Sequence, residues 1–419
     1  MKLTAVLVVL FAATGASGAD PSDAAWTFPL IITAALLISW AAESAQFLIS
    51  QGAALAALAL IQTLPEYSVE AVLAWAAGND SAKIQYMTAN FTGATRLLVG
   101  LGWPLIFIVA SIASRLRYGK FLRTIELDPG HSVEVLSFIV PVLYMVAVCL
   151  KGTLSLLDGG LLVVVYAGVV YLLSLAPPEE PEKIEDMDAI PRWILRRSPV
   201  VRGNLILLLF LAGGAVIFLC AHPFVESCIA LGIALSISPY IMLQWVAPIL
   251  SEFPEKVSAF NWARKVRTAP IAFMNMASSA LQEMTLLVAV MPAVFCLARW
   301  HHGLPIEPIP LSEHQRLEIL LTVSQVFLGM VLLLDLHVCW YEALGLFVLW
   351  VLQIVAGVMA DPIRIHVALT WVSFGWAALE LAAYATGVNR LRAAGAFVQL
   401  VRESRARRAA LPGERPPEF

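Results

Sequence analysis

ISQGAALAALALIQTLPE, residues 49–66, runs apolar to bilayer depth and then sets a proline beside a glutamate. Proline removes a helix hydrogen bond, and a glutamate in lipid is costly to bury. The pattern returns as ISPYIMLQWVAPILSEFPE, residues 237–255, again opening on Ile-Ser and closing on Pro-Glu. The segments that follow also correspond. TANFTGATRLLVGLGWPLI (88–106) and FMNMASSALQEMTLLVAVMPAVF (273–295) each begin with an Asn among small residues and turn apolar.

Around these segments the 419-residue chain is 60% hydrophobic and 14% charged. A soluble fold of this length cannot cover so much apolar surface, whereas bilayer-spanning helices can. Periodicity predicts eleven spans, at 26–48, 53–77, 86–114, 132–150, 155–175, 203–234, 239–262, 270–297, 317–334, 341–358 and 365–387. Before them, Lys2, the run LTAVLVVLFAA and the small-residue end TGASGA have the layout of a signal peptide over residues 1–19, or of an uncleaved first span. The cysteines Cys149, Cys220, Cys228, Cys296 and Cys339 show no ligand spacing and read as small core residues.

With the mature N-terminus outside, nineteen Lys and Arg fall on the cytoplasmic side and five on the other. That bias predicts a multi-pass plasma- or inner-membrane protein with a cytoplasmic C-terminus. The predicted organisation is a first repeat (20–175), an acidic, proline-rich cytoplasmic linker (176–201), a second repeat (202–360), an additional span (361–388) and a basic tail (389–419). The tail reads as an amphipathic helix on the inner leaflet or as a disordered basic segment.

Four spans, an even number, lie between the two Pro-Glu segments, so the repeats are inverted with respect to the membrane. Broken helices of such repeats meet near the midplane and form ion sites. Proline frees a carbonyl one turn back, and with the adjacent carboxylate it makes an oxygen cage for a hard cation. Glu66 and Glu255 head the two cages, and Glu70 lies one turn beyond Glu66 on the same face.

At these residues the chain resembles the sodium/calcium exchanger branch of the cation/calcium exchanger superfamily, whose repeats carry Gly-Thr-Ser-x-Pro-Glu. LSLLDGGLLVVVYAGVVYLL (154–173) is similar to that family's fifth helix. The resemblance implies an all-α polytopic fold of two inverted-topology five-helix repeats, here with one extra C-terminal helix. It implies that Glu66 and Glu255 are the central cation ligands, with Thr63 and Ser251 at hydroxyl positions of the motif. Thr92, Ser278 or Ser279, and Gln282 or Glu283 match ligands on the following helices. Glu252 departs from the pattern by adding a carboxylate near the face of Glu255, which suits proton coupling; Lys256 either points elsewhere or offsets that charge. Arg96 departs further. It is read as a tethered cation that deletes one ion subsite, or as a structural pair with Glu283 or Glu70.

The expected function is exchange of Ca²⁺ or a related cation for Na⁺ or H⁺ by alternating access, with helices 1 and 6 sliding as the resemblance implies. The alternative is a transport-incompetent homologue, a membrane sensor or assembly partner with Arg96 filling an ion subsite. An intramembrane enzyme is disfavoured, because no span carries an HExxH or paired-Asp motif. The expected partners are the lipid bilayer and inorganic cations, with no cofactor and no nucleic acid.

Overall fold

The computed structural model describes residues 20–45, 63–174, 184, 187–357 and 362–410. The signal at 1–19, the first part of the second span and residues 176–183 and 185–186 of the linker lie outside the described residues. The helices are α1 (Ala24–Ala45), α2 (Leu64–Asn79), α3 (Ser81–Tyr118), α4 (Pro129–Lys151), α5 (Leu156–Leu173) and α6 (Pro199–Ala234). They continue as α7 (239–251), α8 (Phe253–Arg264), α9 (Ala269–His301), α10 (Glu313–Asp335), α11 (Trp340–Gly357), α12 (Pro362–Ala385) and α13 (Arg392–Ala410).

Nine of these segments are long and apolar enough to cross a bilayer. Among the described residues, α2 starts at Leu64 with Pro65 in its first turn, and α7 stops at Ser251 before α8 restarts at Phe253. Proline forces this, because it cannot donate to the turn before it and fits the first turn of a new helix.

Two short antiparallel ladders tie the connections together. β1 (Thr124–Glu126) pairs with β4 (His337–Cys339), and β2 (Thr153–Leu154) with β3 (Ile309–Pro310). The first joins the loops after the third and ninth spans, the second those after the fourth and eighth. Odd connections therefore share one end of the bundle and even connections the other, as alternate crossings require.

The inversion shows in how the repeats interlock. α1 and α6 run antiparallel: Thr27 Oγ1 meets Ser227 Oγ at 2.7 Å, while Ile38 meets Gly213. α2 packs on Val288–His301 of α9, and α8 on Trp103–Tyr118 of α3. Each Pro-Glu helix thus leans on the far half of the other repeat's following helix. Helices in lipid gain little from burying apolar surface against one another, so close approach through small residues matters most. Gly93 is the tightest case, since a Cβ there would lie 1.7 Å from the Gln244 carbonyl oxygen of α7.

Large apolar side chains such as Leu116, Leu219, Trp371 and Leu379 cover the outer faces. The five cysteines are unpaired, and all but Cys339 are buried. α12, the additional span, packs along α10 and against α11. In the tail, Arg392–Ala410 is helical, and this α13 lies against the start of α4, with Ala393 and Leu400 buried.

Candidate cation site

Both Pro-Glu carboxylates stand in the first turn of a new helix, Glu66 in α2 and Glu255 in α8. Unpaired N–H groups and the helix dipole at such a start favour negative charge. Glu252 occupies the break itself, as the residue before α8, with φ −95° and ψ 9°. The third helix of each repeat has a π turn, at Leu98–Gly102 in α3 and at Glu283–Leu287 in α9. A π turn inserts an extra residue and re-aims its side chains, and such turns gather at functional sites. Here it carries Glu283.

These breaks bring Glu66, Glu252 and Glu283 together, with one oxygen of each within 4.8 Å of the others. All three are buried. Among the described residues, Glu66 Oε1, Glu252 Oε1 and both oxygens of Glu283 meet no hydrogen-bond donor. Desolvated carboxylates without donors are costly unless a cation answers them. The spacing suits one, because oxygens about 2.3–2.6 Å from a central Ca²⁺ lie up to about 5 Å apart.

Other residues of the two motifs surround this centre. Thr63 Oγ1 donates to Gln282 Oε1 at 3.3 Å, joining the first repeat to the second. Glu70 is fully buried and accepts from Asn90 Nδ2 at 2.8 Å. Glu255 sits beside Ser279 and lines a cleft with Ser39, Glu43, Ser251, Ser258, Trp262 and Asn275. The cleft lies toward the end of the bundle where Asn261 Nδ2 donates to Asp188 Oδ1 of the linker, 3.0 Å away. Ser251 Oγ donates to the Ala247 carbonyl of its own helix, and Ser278 is half-buried one residue before Ser279. Thr92 is turned away: its hydroxyl donates to the Thr88 carbonyl and accepts from Arg96 Nη2.

Arg96 pairs with neither Glu283 nor Glu70. Its Nη2 lies 2.7 Å from Glu318 Oε2 on α10, and neither side chain has any exposure. Nη1 donates to Gln353 Oε1 on α11, Nε donates to the Thr92 carbonyl, and the guanidinium faces the Trp245 ring. Glu318 also accepts from Gln244 Nε2 and meets His366 Nδ1 of the additional helix at 2.6 Å. The expected partners stood on the motif helices, but a full turn of α3 faces α10 at this level. Glu318 and His366 stand at the starts of their spans, close behind Arg316 and Arg364 and outside the repeat motif, so nothing local in the sequence singled them out. Lys256 was left open by its sequence; its Nζ lies 2.5 Å from Glu252 Oε2.

Helical repeats inverted about an acidic centre define a cation-exchanger architecture, and the comparisons agree. A family model described as "Sodium/calcium exchanger protein" matches residues 24–175 and 205–359, so the chain belongs to that family. Among solved structures, the H⁺/Ca²⁺ exchanger CAX is similar at 26% identity and TM-score 0.80, covering 98% of this chain and 97% of that one. Two structures of the sodium-calcium exchanger NCX_Mj share the fold. One has 15% identity and TM-score 0.52 over 85% of this chain and 99% of that one. The other has 14% and 0.51 over 80% and 97%. No curated protein matches.

Proposed function

We propose that the protein exchanges Ca²⁺ for H⁺ across the membrane by alternating access, with Glu66, Glu252 and Glu283 as the central ligands. Glu255, Glu70, Thr63, Ser251, Ser279 and Gln282 complete the surroundings, and Ser278 and Thr92 stand outside them. The observation that carries this reading is the convergence of buried carboxylate oxygens without donors. Such a cluster cannot stay fully charged once its cation leaves, so protons are the natural replacement. The similarity to the H⁺/Ca²⁺ exchanger CAX points the same way.

The cleft lined by Glu43 and Glu255 supplies access from one end of the bundle, and a shift of α1 and α6 would open the other. The Lys and Arg bias supports a cytoplasmic C-terminus and, with it, a cytoplasmic opening for that cleft. The alternative of a transport-incompetent homologue drew on Arg96 filling an ion subsite, and its pairing with Glu318 removes that motive.

Purified protein in liposomes, with isotopic Ca²⁺ supplied outside, tests the reading. A pH gradient should drive Ca²⁺ uptake, and Glu66→Gln or Glu283→Gln should lower it about 100-fold by removing a charged ligand. Uptake driven by Na⁺ alone would replace the coupling ion. No uptake under either gradient would remove the exchanger reading.

A further inference from the structure

We infer that Lys256 is a built-in cation of the transport site, whose ammonium answers the Glu252 carboxylate and thereby sets the charge moved per Ca²⁺. The inference rests on Glu66, Glu252 and Glu283 being the ion's ligands. Lys256 stands one turn beyond Glu252, across the break where α8 restarts, so both side chains share a face. Its Nζ is 2.5 Å from Glu252 Oε2, with side-chain exposures of 12% and 1%. Pairs at this spacing on a wet helix surface exchange freely with water, but a desolvated pair holds, because either partner alone would be stranded.

The consequence is a matter of charge. Glu252 departs from the exchanger motif by bringing a carboxylate where a hydroxyl is expected. Together with Lys256 it brings a ligand oxygen to the centre and no net charge. Three ionised carboxylates and one ammonium sum to the charge that a single divalent cation neutralises. Without the ammonium the same centre keeps one negative charge beyond what Ca²⁺ neutralises, and once Ca²⁺ has left it takes up one more proton for the return. However many neighbouring carboxylates are ionised, the ammonium subtracts one. Arg96 was the sequence's candidate for such a tethered cation, but its charge is spent on Glu318.

The test is the charge translocated per Ca²⁺, read from reversal potentials in liposomes of stated Ca²⁺ and pH gradients. Lys256→Met and Lys256→Gln should each move one more proton per Ca²⁺ and bind Ca²⁺ about tenfold more tightly, while Lys256→Arg restores the wild-type ratio. Where flux is too slow, calorimetric Ca²⁺ binding and proton release by the detergent-solubilised variants read the same charge. Wild-type ratio and affinity in both neutral variants would overturn the inference and leave the exchanger reading standing. Absence of Ca²⁺ flux and binding in the wild type would remove both.

Discussion

A guanidinium shut away from solvent survives inside a membrane protein only where each of its donors is answered. Arg96 heads the fully buried side chains, and Glu318, Gln353 and the Thr92 carbonyl answer it. Removing one member of a buried pair leaves the other charge stranded, so Arg96→Ala should cost about 3–5 kcal/mol. Thermal unfolding in detergent checks this, and a variant as stable as the wild type would mean the pair contributes nothing. The double variant Arg96→Met/Glu318→Met should recover most of the loss, because apolar groups of similar size leave no charge behind. The sequence marked Arg96 as anomalous, but it did not name Glu318. The two residues are far apart in the chain, and their meeting depends on how α3 packs against α10.

At the scale of elements, the interlock of the repeats depends on backbones touching. Where α3 crosses α7, a Cβ on Gly93 would lie 1.7 Å from the Gln244 carbonyl oxygen, and main chain cannot rotate out of the way. Gly93→Ala should force the two helices apart, at about 1–3 kcal/mol or more. Gly160→Ala on α5 meets nothing within 4 Å and should be neutral or slightly stabilising. Comparing the melting temperatures of the two variants isolates packing from helix propensity. Gly93 sat in plain view within the quoted motif TANFTGATR. Its importance was not legible there, because the chain that touches it belongs to the opposite repeat.

For the whole molecule, the question is which parts move together. α1 and α6 lie along each other, joined by the Thr27–Ser227 hydroxyl contact, the Cys220 thiol on the Thr27 carbonyl, and the Phe28–Phe224 edge contact at 5.5 Å. If they slide as one unit past the carboxylate centre, tying them to each other should not stop transport. Oxidising a Thr27→Cys/Ser227→Cys variant, in a background without Cys220, should leave Ca²⁺ flux within about twofold of the reduced protein. Loss of flux on oxidation, regained on reduction, would mean that the two helices move separately.

What the sequence determined by itself was whatever one chain segment can encode locally. Apolar length set the spans, proline set the helix breaks, and the echo of Ile-Ser to Pro-Glu disclosed the inverted repeat. Of the carboxylates of the centre, Glu66 was expected from that echo, and Glu252 and Glu283 from the family resemblance that the echo carries. Only the tertiary structure decided which of them converge, that Glu255 lines the cleft beside them, that Arg96 belongs to Glu318 and His366, and that Lys256 belongs to Glu252. Those outcomes depend on helix crossings set by small residues from opposite repeats. In a bilayer, where no water pairs a buried charge, the packing chooses each partner.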